Sequence, residues 1–219
     1  MHGWRSTWAD DFGLIADFWH DNDCTVLYVE QRARGDSEGE YICFGLQERY
    51  DCLAWINYVN ERTGGSLPIY LCGVSMGATT VLMTAGMKLP STVKGIVADC
   101  GFTSPDQIWQ YVAKNKIHIP YGRMTSNFAN SISKEKIGLT ADDYSTIEAM
   151  KECNVPVLFV HGTDDGFVPI EMTYQNYKAC IAPKQLFVVP GAEHGMSYIE
   201  NKLEYEQMFK KMWDDYDHT

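Results

Sequence analysis

The chain has 219 residues, enough for one domain with a sizeable core. Its formal net charge of -11 argues against nucleic acid and anionic membrane as partners of a basic surface, because phosphates would be repelled. Seven cysteines, odd in number and without a C-x-x-C pair, read as reduced core thiols of a cytoplasmic protein. No stretch has the length of a signal peptide's apolar region near the start, or of a membrane span anywhere.

From Thr7 the pattern is helical, with Trp8, Phe12, Ile15, Ala16 and Trp19 on one stripe and Asp10, Asp11 and Asp17 away from it. Cys24 to Val29 reads as a buried strand, followed by a charged, glycine-punctuated loop from Glu30 to Gly39. In that loop Arg32 and Arg34 are expected to brace neighbouring charges. A helix from about Leu46 to Arg62 is expected to turn Tyr50, Leu53 and Ile56 inward. Thr63 to Ser66 then leads into the apolar run Pro68 to Cys72, which has the character of a strand buried on both faces.

That run ends in Gly73-Val74-Ser75-Met76-Gly77 and opens directly into a helical stretch. A serine there occupies a strained turn, and the flanking glycines leave room for the packed strand and helix on either side. The spacing alone is a weak signal. Its place between a buried strand and a helix strengthens it. Val93 to Ala98 is the next strand, ending at Asp99, Cys100, Gly101 and Phe102.

From Thr103 to about Cys153 the alternation of strand and helix lapses. Ser104, Pro105 and Gln107 mark a helix start, with Ile108, Trp109, Tyr111 and Val112 following. A turn-rich segment around His118 comes next, and then a polar run through Thr125 and Ser133. Val155 to Val160 and Gln185 to Val189 are the last two strands, each followed by a glycine-bounded loop: His161 to Pro169 and Gly191 to Gly195. Met196, Ile199, Leu203, Phe209 and Trp213 mark a closing helix, and Asp214 to Thr219 reads as a frayed tail.

With the serine turn, the later aspartate loop and the still later His194 in that order, the chain resembles the α/β-hydrolase superfamily, and within it bacterial serine esterase-like hydrolases with a small cap. The resemblance implies an α/β fold with a mainly parallel sheet of about five strands, one domain over 1–219, and 103–153 as the cap. It assigns the catalytic roles to Ser75, Asp165 and His194, and favours Asp165 over Asp164 by its spacing before Val168 and Pro169. His161 then falls on a structural position, and His118 has no motif.

Met1-His2-Gly3-Trp4 resembles the loop that follows the superfamily's third strand. Three earlier strands have no counterpart, so the sequence reads either as a piece of a longer protein or as a compact variant. In the compact reading, the strand at 24–29 pairs directly with the one at 68–72. Without an anchored strand before it, the Trp4 loop is expected to be loosely held. An uncovered aromatic face on the first helix would favour self-association.

The chemistry follows from the residue types. A serine hydroxyl needs a base to take its proton, His194, and the base needs a carboxylate, Asp165. The developing oxyanion needs two donors, the amides of Met76 and, by the resemblance, Trp4. Phe102 and Trp109 are the expected substrate-binding residues. Neither a metal nor another cofactor is required, since the histidines and cysteines lack zinc-site spacing. The expected substrate is a small carboxylic ester cleaved through an acyl-serine. A thioesterase, a peptidase or amidase, and a silent binding member of the fold stay open.

Overall fold

The structure, a computed structural model, describes residues 1–217. Four strands, β1 (Ile69–Val74), β2 (Val93–Asp99), β3 (Val157–Gly162) and β4 (Lys184–Val189), form one parallel sheet in the order β1-β2-β3-β4. Their registers bring Val74 beside Asp99, Asp99 beside Val160, and Gly162 beside Val189. All four carboxyl ends therefore open on one rim of the sheet.

Successive side chains of a strand point to opposite faces, and both faces here are covered. On one side Ile96, Ala98, Val157 and Phe159 pack under α3 (Glu48–Arg62), α4 (Met76–Ala85), α7 (Thr146–Glu152) and α8 (Ile170–Ala179). On the other, Val97, Leu158 and Val160 pack under α1 (Trp8–Phe12), α2 (Ala16–Asp21) and α10 (Lys202–Tyr216). Full burial of a side chain such as Phe159 contributes about 2 kcal/mol. The remaining helices are α5 (Pro105–Asn115), α6 (Arg123–Ile137) and the single turn α9 (Ser197–Glu200).

Several expectations need correction. Among the described residues the sheet has four strands, because Cys24 to Val29 forms no ladder with any described strand. A strand needs a hydrogen-bonding neighbour, and the adjacent edge of β1 is met by Met1 instead. The Met1 nitrogen donates to Cys72 O at 2.6 Å, and Val74 N–H donates to Met1 O at 3.2 Å. Residues 24–29 attach through side chains, with Cys24, Val26 and Tyr28 packed on the α1, α2 and α10 core. The first helix is split into α1 and α2, with Gly13, a poor helix former, between them.

In α3 the inward stripe is Arg49, Cys52 and Ile56, while Tyr50 is exposed. Arg49 is drawn in because its guanidinium lies 4.2 Å from the Tyr144 ring centroid. The polar run through Thr125 and Ser133 is helix α6. The closing helix extends through Tyr216, so most of the expected frayed tail is ordered; His218 and Thr219 lie outside the described residues. Ser104 caps α5 as expected, its hydroxyl accepting from Gln107 N–H at 3.2 Å.

Candidate active site

Ser75 stands between β1 and α4 at φ 56 and ψ -119, a backbone conformation that costs a non-glycine residue about 1–3 kcal/mol. The surroundings hold it there. Its N–H donates to Asp99 O at 2.8 Å, and its flanking glycines leave no room for alternatives. A Cβ on Gly73 would meet Gly77 O at 2.3 Å, and one on Gly77 would meet Met1 O at 1.9 Å.

The loop after β4 brings His194 Nε2 to 2.9 Å from Ser75 Oγ. The loop after β3 brings Asp165 Oδ2 to 2.7 Å from His194 Nδ1. Because a carboxylate only accepts, Nδ1 carries the proton and Nε2 is free to accept from the serine hydroxyl. Three segments distant in sequence thus form one row of hydrogen bonds. Asp165 Oδ1 accepts from the amides of Phe167 at 2.8 Å and Val168 at 2.9 Å. Burial alone would raise the Asp165 carboxyl, but its hydrogen bonds to His161 and His194 outweigh that and hold it well below the usual carboxylate range.

His161 is a contributor that sequence reasoning set aside as structural. It is fully buried, and its Nε2 lies 3.1 Å from Asp165 Oδ2 and 3.0 Å from Val168 O. Two acceptors fix the proton on Nε2, and Nδ1 then accepts from Thr173 Oγ1 at 2.7 Å. Asp164 is exposed and receives the Thr163 hydroxyl, as expected of a turn residue. His118 is exposed and makes no contact with this row.

The loop at Trp4 is firmly held, contrary to expectation. Besides the Met1 pairing with β1, Gln31 N–H donates to His2 Nε2 at 3.0 Å and the Gln31 side-chain amide donates to His2 O. Thr80 Oγ1 holds the Gln31 amide oxygen at 3.3 Å, tying the loop to α4. Arg34 Nε donates to Ser6 O at 2.9 Å, and Arg32 pairs with both Asp51 oxygens at 2.6 and 2.7 Å. These contacts anchor the segment that carries Trp4. Among the described residues, the amides of Trp4 and Met76 have no hydrogen-bond partner.

Aromatic rings surround the row. Trp4 stacks on Phe44 and on Phe167, each at 6.4 Å between centroids, and Phe167 lies 5.1 Å from the His194 ring. Phe102 and Trp109 approach Phe44 at 6.3 and 5.4 Å, in the cluster that contains Met76. Sequence reasoning gave no role to Phe44, which sits in no motif, or to Phe167, which lies in the Asp165 loop but was not singled out there.

Among the described residues one trio, Cys100, Asp165 and His194, places metal-ligand atoms within 4.8 Å of one another. Asp165 and His194 already share a hydrogen bond at 2.7 Å, closer than two ligands of one ion at about 2.0 Å each would stand. Burial and the neighbouring Asp99 and Asp165 push the Cys100 thiol well up, so it stays protonated. The donor set suits a proton relay.

A serine at a strained strand-to-helix turn, met by later loops at the carboxyl rim of a parallel sheet, defines an α/β-hydrolase fold. The chain belongs to the prolyl oligopeptidase family, whose model matches residues 42–215. The uncharacterized protein YqkD of Bacillus subtilis is 28% identical over 190 residues, 87% of this chain and 62% of that protein. The bifunctional esterase/perhydrolase DCH of Acinetobacter calcoaceticus is 40% identical over 53 residues, 24% of this chain and 19% of that protein. The chain thus spans less than two thirds of the length of these relatives. Among solved structures, the Pyrococcus furiosus esterase Pf2001 superposes with a TM-score of 0.78 at 20% identity, covering 99% of this chain and 81% of that one. The mouse alpha/beta hydrolase domain-containing protein 10 does so at 0.69 and 17%, covering 98% and 88%.

Proposed function

We propose that the protein is a serine hydrolase that cleaves small carboxylic esters through an acyl-serine intermediate. The observation that carries this reading is the unbroken row from Ser75 Oγ through His194 to Asp165, at 2.9 and 2.7 Å. His194 Nε2 takes the Ser75 proton as the oxygen attacks the ester carbonyl, then returns it to the departing alcohol. Asp165 steadies the cationic imidazole. The unpartnered amides of Met76 and Trp4 receive the oxyanion, and losing one such donor costs roughly a hundred- to a thousandfold in turnover. Water, activated by the same histidine, releases the acid.

Phe102 and Trp109, with Phe44 and Phe167, supply an apolar surface for the acyl or alcohol part, and the helical 103–153 segment serves as the cap above it. Membership of the prolyl oligopeptidase family supports a second reading in which the same row cleaves a peptide or amide bond.

An organophosphonate probe tests the first requirement. Labelling of the wild type but not of Ser75→Ala supports the nucleophile; absence of labelling in folded protein favours a silent binding member of the fold. Hydrolysis of a p-nitrophenyl ester series beside a peptidyl-prolyl anilide then separates esterase from peptidase.

A further inference from the structure

The turn Cys43-Phe44-Gly45-Leu46 leads into α3 and is closed by Leu46 N–H donating to Cys43 O at 3.0 Å. Both of its central residues have positive φ, 53 at Phe44 and 94 at Gly45. Such mirror-image turns favour glycine, asparagine or aspartate at these positions, and a bulky side chain at the first is a strained exception. Glu48, in the first turn of α3, holds this shape. Its carboxylate is fully buried, with Oε1 accepting from Cys43 N–H at 2.6 Å and Oε2 from Gly45 N–H at 2.9 Å, so it grips the amides on either side of Phe44. Glycine would take the same turn without strain. A phenylalanine clamped there instead points to a use for the ring.

The ring is only partly buried. It meets Trp4 at 6.4 Å, Phe102 at 6.3 Å and Trp109 at 5.4 Å between centroids. These neighbours come from the amino-terminal loop, the end of β2 and α5, so three separate elements back it. In the hydrolysis proposed above, the departing oxygen faces His194 Nε2, which puts the alcohol beside Phe167, 5.1 Å from the His194 ring. Among the described residues Phe44 has no ring contact with His194 and reaches it only through Trp4 and Phe167. The acyl chain leaves the carbonyl carbon away from the departing oxygen, toward Phe44.

We propose that the Phe44 ring is the wall that limits acyl-chain length, and that Glu48 is a positioning residue that keeps the ring there. This wall presupposes the hydrolytic reading and gives it a substrate class, esters of short acids. Glu48 touches no substrate and acts only through the turn.

The test is kcat/KM for p-nitrophenyl esters from acetate to octanoate, beside acetates of alcohols of rising length. Phe44→Ala should raise the octanoate-to-acetate ratio about tenfold or more, and leave the alcohol series within about twofold of the wild type. Glu48→Gln, which keeps one acceptor for the two amides, should move the acyl ratio in the same direction by about threefold. Phe44→Gly removes the ring while accepting the positive φ, and serves if the alanine variant fails to fold. An unmoved or lowered acyl ratio in an active Phe44 variant overturns the wall, and an equal change in the alcohol series overturns its assignment to the acyl side. A Glu48→Gln enzyme weakened equally on every ester, as simple loss of folded protein would produce, overturns the positioning role. A wild type that hydrolyses no ester and takes no organophosphonate overturns the hydrolytic reading and the wall with it, whereas a labelled, active wild type leaves only the wall at stake.

Discussion

The carboxylate of Asp11 fixes the backbone of Gly3: its Oδ2 accepts the Gly3 N–H at 2.5 Å while its Oδ1 accepts the Ser6 hydroxyl at 2.6 Å. Gly3 in turn lies against the serine turn, where a Cβ on it would stand 3.2 Å from Ser75 Cβ. A residue on α1 therefore sets where the Trp4 amide sits relative to Ser75. Asp11 acts on the proposed oxyanion site by positioning it.

Replacing Asp11 with alanine should lower kcat on the order of tenfold while KM changes little, since the lost order affects the charge-developing step more than ground-state binding. Asp11→Asn, which keeps one acceptor, should fall between. Steady-state kinetics on a soluble ester checks this, and a change confined to KM would count against it.

The glycines around Ser75 differ sharply from glycines elsewhere. Gly73→Ala and Gly77→Ala force a Cβ into backbone at 2.3 and 1.9 Å, and should each destabilise by about 3 kcal/mol or more. Gly122→Ala meets nothing within 4 Å at φ -143 and should stay within about 0.5 kcal/mol. Urea denaturation of the three variants gives the ranking directly.

Acid stability should depend on Asp165. Its carboxyl titrates near 4 when unfolded and well below that when folded. The stabilisation is therefore complete above about pH 4 and is lost as pH falls through the folded value. Asp165→Asn has no charge to titrate, so its unfolding free energy should fall less between pH 4 and pH 3 than that of the wild type. Parallel denaturation curves at pH 7, 4 and 3 measure the difference; identical acid slopes would disprove the assignment.

Asp99 behaves in the opposite sense. Burial raises its carboxyl above the ordinary range, with the Ser197 hydroxyl at 2.9 Å and the Tyr205 hydroxyl at 3.3 Å pulling it back. Its raised value favours the fold most when the group is neutral, and that advantage declines as pH climbs through the folded value. Tyr205→Phe removes one donor and should cost about 1–3 kcal/mol, more at pH 7 than at pH 4, as read from unfolding at the two pH values.

Ser75 and His194 were legible because each lies in a short glycine-bounded loop directly after a buried apolar run, and such runs show in a single segment. Asp165 needed the resemblance to separate it from Asp164. His161, Asp11 and Gln31 were not legible, since their partners are loops and helices far along the chain. The segment 24–29 has strand-like composition, yet pairing is a property of two segments, and β1 meets Met1 there.

Taken alone, the order of residues determined the alternation of buried strands and helices, the glycine-flanked turn, and the succession of serine, acid and histidine. These rest on backbone preferences and apolar periodicity within a few residues. Tertiary structure decided which edge of the sheet was closed, how the Trp4 loop was anchored, and where the Phe44 ring came to lie. Each of those depends on hydrogen bonds and packing between segments that local preference cannot relate to one another.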